Sequence, residues 1–479
     1  MGKSLIATAC KSPPPRSHAA AMSAKFHRRE SKSPLGRILQ NTAWLLGGKG
    51  FGAVCGLAYL AIQTRSLGLK DFGHFSLIFG TAQALIALAS FQTWRVVVRY
   101  GSEHVHAKDW GKLGRLGMLC GLLDGVGAVL GCGLAAILIY GFAHMLDLNP
   151  HFIDVAFWFC VGSLWALVSA PTGIVRALNR FDMAVYVEAI VPSGRLAASL
   201  VIWLTGPSVG RFLFAWAAID IVEAILYWIM ARRLCPAAVN FANLRNWRKA
   251  IDENPGVTRF FLQTYVASTL DAAMKNGPLL IVGAWVGTKA AGLYRLASQI
   301  SQALSKLSSL LTRSVYAEVA RARVASEASE FRKLALQTSK IAGLAGIVVV
   351  TVAVLLGKQM LEVIGGDDFE QGAAILVPLT LAACFDLASV AFEPVLHATG
   401  RARHSLVARL IALIAMAIGL VFLLPVGPSG AAWAVAVGGA VSYIAMGLMA
   451  WRTLQQIDRN EISISPDPED DLPVADSAG

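Results

Sequence analysis

At 479 residues, with 56% hydrophobic and only 15% charged side chains, the chain is far more apolar than an ordinary water-soluble protein, which carries roughly a quarter charged residues. Its formal charge of +12 is gathered in the connections between apolar runs, so it marks topology and gives no reason to expect a nucleic-acid partner. Strand-type alternation is absent, which disfavours a β-barrel.

The chain opens with a basic, Pro/Ser-rich arm, residues 1–36, whose composition predicts disorder. No apolar core with a small-residue cleavage site follows it, so it does not read as a signal peptide, and Met22 opens a second plausible start. Apolar runs of spanning length then recur near 41–63, 75–94, 116–140, 153–175, 185–204, 210–231, 260–284, 291–312, 335–357, 371–396, 405–424 and 430–451. These predict an all-α, polytopic membrane protein of about twelve transmembrane helices, each able to cross a hydrocarbon core of about 30 Å. The expected organisation is a first six-helix lobe over 37–235, a linker over 236–258, a second six-helix lobe over 259–452 and a disordered acidic tail over 453–479. Cys10, Cys55, Cys120, Cys132, Cys160, Cys235 and Cys384 are scattered without a CxxC pair and read as packing residues.

Loop charge orients the bundle. The arm, the tail and the connections over 95–115, 176–184, 232–259, 313–333 and 398–404 hold most of the 42 basic residues. The opposite faces hold only Arg65, Lys70, Arg211, Lys289 and Lys358. Basic residues stay on the cytoplasmic side, so both termini are expected there and the number of spans is expected to be even.

Two halves can be laid on each other. Gly68-Leu-Lys-Asp-Phe-Gly73, Phe75-Ser-Leu and Gln83-Ala-Leu recur, without a gap, as Gly287-Thr-Lys-Ala-Ala-Gly292, Tyr294-Arg-Leu and Gln302-Ala-Leu. Pro171 before Arg176-Ala-Leu-Asn-Arg180 recurs at nearly the same spacing as Pro394 before His397-Ala-Thr-Gly-Arg401. With six spans per half, the repeat is parallel, about an axis along the membrane normal.

The basic arm before the first span, the outer Gly-x-x-(Asp/Ala)-(Phe/Ala)-Gly-x-(Phe/Tyr) turn and the Ala-x-(Asn/Gly)-Arg turn together resemble the polysaccharide flippases. These belong to the multidrug/oligosaccharidyl-lipid/polysaccharide exporter superfamily. The resemblance runs from Leu39 to Trp451 and departs from the family at Asn179, where Gly is common. It implies two bundles that alternate between inward- and outward-open states, in a bacterial inner membrane. It also implies an undecaprenyl-pyrophosphate-linked oligosaccharide as cargo for O-antigen, capsule or exopolysaccharide assembly, with a polysaccharide polymerase or glycosyltransferases as working partners.

Ionisable groups deep in a span are costly, so each is a candidate site. Asp271 and Lys275, four apart on one face of the seventh span, are followed by Asn276-Gly277-Pro278, which predicts an interruption. Gly47-Gly-Lys49-Gly-Phe-Gly52 predicts a matching one in the first span. Lys49 and Lys275 are therefore candidate phosphate contacts, one per half, since an ammonium is a compact charge suited to pyrophosphate. The bland alternative is that Asp271 and Lys275 neutralise each other and that Lys49 snorkels. Arg195 is a second-line contact whose favoured partner is Glu188, and Lys306 and Arg295 lie near span ends. Asp220, Glu223, Asp386 and Glu393 are candidates for a coupling proton or cation, or for pairing with the buried bases, and Asp124 is expected to be paired. With Lys340 and Arg409 included, bases and acids within the spans balance, so composition alone does not declare a basic cavity.

No G-x-S-x-G, H-E-x-x-H or Walker A sequence occurs and no metal spacing links the histidines, so neither an enzyme activity nor a cofactor is expected. A cation-coupled drug or metabolite exporter of the same superfamily is the alternative. A membrane polysaccharide polymerase would need longer, better-equipped outer connections than these.

Overall fold

The computed structural model describes residues 34–142, 147–321, 328–389, 392, 396 and 402–458, and all regular structure among them is helical. Helix α1 (Pro34–Ala89) takes in the first two predicted spans, which meet at a kink at Gly68. It is followed by α2 (Thr93–His106), α3 (Trp110–Phe142), α4 (Ile153–Trp165), α5 (Ser169–Ala177), α6 (Phe181–Glu188), α7 (Ile190–Thr205) and α8 (Val209–Leu234). A 3-10 turn, Phe241–Asn246, leads into the short α9 (Trp247–Asp252). The second half comprises α10 (Val257–Val286), α11 (Thr288–Arg321), α12 (Ala328–Gly365), α13 (Ala373–Ser389), α14 (Ala402–Leu423) and α15 (Pro428–Asp458).

Among the described residues, nine helical stretches are long and apolar enough to cross a membrane. Helices α10 and α11 stand where the seventh and eighth spans are predicted but are not among the nine. Polar side chains lower their apolarity: α10 carries Gln263, Asp271, Lys275 and Asn276, and α11 carries Lys289, Arg295, Gln299, Gln302 and Lys306. Large apolar side chains such as Trp285 (79% exposed), Phe214 (76%), Leu204 (76%) and Trp158 (67%) face outward. Water would penalise such faces and lipid does not.

The expected interruptions of the first and seventh spans are absent. Helix α1 runs unbroken through Gly47–Gly52, and α10 continues through Pro278. A proline removes one backbone hydrogen bond, which a long helix can absorb, and a run of glycines weakens a helix without ending it. Breaks occur elsewhere. The second span stops at Ala89 and resumes at Thr93, with Gln92 at φ 52°. The fourth stops at Trp165 and resumes at Ser169, and the fifth divides at Ala189.

The chain forms two compact units, Met1–Ser66, Ile78–His144 and Leu148–Thr269 in the first, and Leu67–Leu77, Met145–Asp147 and Leu270–Gly479 in the second. The first unit's core packs Val97, Leu113, Leu116, Ile174, Val175 and Tyr227 from α2, α3, α5 and α8. Within the second unit the repeated turns meet each other. Gly68 and Gly287 occupy the same place in the repeat, and both take positive φ (71° and 107°), open to glycine at low cost. Gly73 and Gly292 also correspond. A methyl on Gly73 would overlap the Thr288 carbonyl, and one on Gly292 would come within 3.0 Å of the Leu69 carbonyl oxygen. The glycines repeated in sequence are thus the ones that let these two turns touch. Asp147, at φ 48°, accepts hydrogen bonds from the Thr288 hydroxyl (2.9 Å) and backbone N–H (3.3 Å) at the start of α11. Those bonds hold its carboxyl below the usual carboxylate range.

Candidate functional site

In the first unit the charges sit on α6, α7 and α8. Arg195 on α7 donates through one terminal nitrogen to both carboxylate oxygens of Asp220 on α8, at 2.7 and 3.1 Å. The two residues lie about equally far from the turn joining α7 and α8, so the antiparallel hairpin brings them to one level. The guanidinium is flanked by Trp216 and Phe79, 5.5 and 5.8 Å from their ring centroids, and its Nε–H has no acceptor among the described residues. The two side chains keep only 13% and 19% of their exposure. Glu188 is therefore not the partner of Arg195. The break at Ala189 ends the shared helix face on which that expectation rests. Glu188 instead accepts from Arg176 at 3.1 Å and from the Tyr227 hydroxyl at 3.2 Å. Glu223, one turn beyond Asp220, is half-buried and makes no hydrogen bond or ion pair among the described residues.

The second unit sorts its charges differently. Asp271 on α10 accepts from Arg409 on α14 at 2.6 Å, so Asp271 and Lys275 do not neutralise each other. A sequence reading confined to neighbours along one helix could not find this partner, because Arg409 arrives from a distant span. Lys275 is exposed and makes no hydrogen bond or ion pair among the described residues. Asp386 of α13 lies within electrostatic reach of Lys275, Asp271 and Arg409. The arrangement is one closed Arg–Asp pair beside an ammonium and a carboxyl without bonded partners, all on spans of one unit. Lys306 is exposed on α11. The Lys49 side chain and Glu393 lie outside the described residues.

Asp124 on α3 is 5% exposed and is not paired with a base. One oxygen accepts from the Thr93 hydroxyl at 2.8 Å and the other from the Ala170 backbone N–H at 2.8 Å. Ser169 joins the same network, 2.9 Å from Thr93 and accepting the Trp94 N–H at 3.0 Å. Thr93 begins α2 and Ser169 begins α5, so this carboxyl ties together the restarts of two broken spans, where the first N–H groups of a helix lack internal partners. The sequence signal for it was present only in the hydroxyl residues at 93 and 169. Among the described residues no group of His, Cys, Asp and Glu side chains could hold a metal ion.

A family model described as "Polysaccharide biosynthesis protein" matches residues 38–316. The inner membrane protein YghQ of Escherichia coli (strain K12) is 28% identical over 331 residues, covering 69% of this chain and 92% of YghQ. Among solved structures, the lipid II flippase MurJ in its inward closed conformation matches with a TM-score of 0.67 and 12% identity, over 87% of this chain and 90% of that one. An inward-facing multidrug resistance MATE family transporter of the MOP superfamily matches with a TM-score of 0.65 and 15% identity, over 85% of this chain and 96% of that one. At these identities the structural likeness establishes the fold, that of the MATE and MurJ transporters.

Proposed function

This chain belongs to the polysaccharide biosynthesis protein family, and from that premise we propose that it flips a lipid-linked oligosaccharide from the cytoplasmic to the outer leaflet of a bacterial inner membrane. The cargo class is an oligosaccharide on an undecaprenyl-pyrophosphate carrier, and the product feeds O-antigen, capsule or exopolysaccharide assembly. Family membership and the transporter fold support transport; the loop charges support a topology with both termini cytoplasmic.

Lys275 is the observation that carries the site. An ammonium without a bonded partner in the middle of a predicted span is costly unless it serves a ligand. A pyrophosphate supplies the matching charge and acceptors. Asp386 lies within electrostatic reach of Lys275, and a pyrophosphate, with more charge, would outcompete it. Lys49 is assigned the corresponding contact in the first half by the repeat. Arg195, already committed to Asp220, is assigned a structural role. Replacing Lys49 and Lys275 together by Gln should abolish surface polysaccharide while the protein stays at normal level in the membrane, with lipid-linked oligosaccharide retained on the cytoplasmic leaflet. Normal surface polysaccharide in that double variant contradicts the assignment.

One observation favours a second reading, cation-coupled export of a drug or metabolite. Glu223 is a carboxyl without a bonded partner in the first unit, the kind of group a coupling proton or cation requires. If Glu223→Gln abolishes efflux of a small cation and leaves surface polysaccharide intact, the exporter reading replaces the flippase.

A further inference from the structure

The segment between α8 and α10 packs within the first unit through side-chain hydrogen bonds, and its charged face has no partner within the described chain. Arg115, near the start of α3, makes two hydrogen bonds to Glu253, at 2.6 and 2.9 Å. His104, at the end of α2, bonds the buried Asn254 at 2.8 Å, and Asn254 in turn donates to the Ala250 carbonyl at 2.7 Å. Asn243 donates to the Ala237 carbonyl at 2.9 Å, and both pack onto Gly114 of α3. Ala250 is buried, and these contacts hold α9 and the residues that follow it against α3 and the end of α2. Span length and loop charge predict that the spans leave the hydrocarbon at this level, on the cytoplasmic side.

The opposite surface of this platform is exposed. It carries Arg245, Arg248 and Lys249, and Arg232 and Arg233 are exposed at the end of α8. Asp252 is its exposed acid, since Glu253 is committed to Arg115. Trp247 and Ile251, one helical turn apart, are 36% and 38% exposed, and Arg248 lies 5.3 Å from the Trp247 ring centroid. Bases beside an amphipathic ring and an aliphatic side chain, at the end of spanning helices, match the bilayer interface: phosphates above, acyl chains below.

We propose that this platform is a docking surface for anionic phospholipid headgroups, with Arg245, Arg248 and Lys249 taking the phosphates and Trp247 and Ile251 entering the interface. The full-length protein in phosphatidylglycerol and phosphatidylcholine nanodiscs, with lipid retention read by native mass spectrometry, tests it. The triple change R245Q/R248Q/K249Q should lower the preference for phosphatidylglycerol by roughly five-fold per charge removed. The same number of changes on the opposite face, K70Q/K289Q/K358Q, should leave that preference unchanged. Equal losses in the two variants, or no loss in the first, overturn the proposal. A nitroxide at Ile251→Cys, in a chain whose platform bases are intact, gives a reading independent of how the triple variant folds. Relaxation by a lipid-dissolved agent in phosphatidylglycerol bilayers supports docking. Relaxation only by a water-soluble agent, as a soluble acidic protein or nucleic acid partner would require, overturns it.

Discussion

Among the described residues, each half of the protein shows an arginine–aspartate pair inside its spans, Arg195–Asp220 and Arg409–Asp271, and each leaves something different over. In the first unit Arg195 and Asp220 are enclosed by Phe79 and Trp216, and the carboxyl without a bonded partner is Glu223. In the second, Arg409 takes Asp271, and this leaves both an ammonium, Lys275, and a carboxyl, Asp386. The contrast teaches that a balanced charge inventory does not settle whether a transporter half is acidic or basic where it matters. Pairing decides it: among the described residues Arg195 and Arg409 are bonded to aspartates, and Lys275 is not.

The largest expected effect comes from breaking the enclosed pair. Arg195→Ala leaves Asp220 uncompensated and should cost about 3–5 kcal/mol, read as a fall in apparent thermal stability of the purified protein. If this variant unfolds no more easily than the parent, the first unit's pair is not structural and the comparison fails. Asp124→Ala should cost about 2–3 kcal/mol, because the Thr93 hydroxyl and the Ala170 N–H lose their acceptor in a buried place. Asp124→Asn should recover part of that loss. Asn179 sits at φ 60°, so Asn179→Val should cost about 1–2 kcal/mol while Asn179→Gly costs little, by the same stability measurement. Lys275→Gln should change stability by less than about 1 kcal/mol, since no bonded partner is orphaned, yet should reduce surface polysaccharide. That separation of activity from stability is what distinguishes the second half from the first. The smallest effect concerns pH. Asp147 has a depressed carboxyl, so its contribution is complete above the ordinary carboxylate range and is lost as pH falls through its lower folded value. An Asp147→Asn variant should lack that acid-side change in a stability–pH profile.

Much of the fold is legible in the sequence because apolar length and loop charge act locally. The helices stand at their predicted places, and the repeat shows itself in the paired positive φ of Gly68 and Gly287 and the close approach of Gly73 and Gly292. Asn179 is equally readable in retrospect. It takes the left-handed conformation at the place where the second copy of the repeat has Gly400, and Asn tolerates that conformation better than most residues. What the sequence hides depends on tertiary partners. The expected break at Pro278 is absorbed within α10, while the real breaks at 90–92 and 166–168 carry no proline and are held by Asp124 from a third span. The expected Glu188–Arg195 pair fails because the helix divides between them, and the Asp271–Arg409 pair joins residues more than a hundred positions apart in the chain.

The central claim is that Lys275 meets the cargo's pyrophosphate. The direct measurement is the binding of undecaprenyl pyrophosphate to the parent protein and to Lys275→Gln in nanodiscs. Loss of one charge-assisted contact predicts about ten-fold weaker binding in the variant, with its fold intact. Equal binding by the two proteins would contradict the claim.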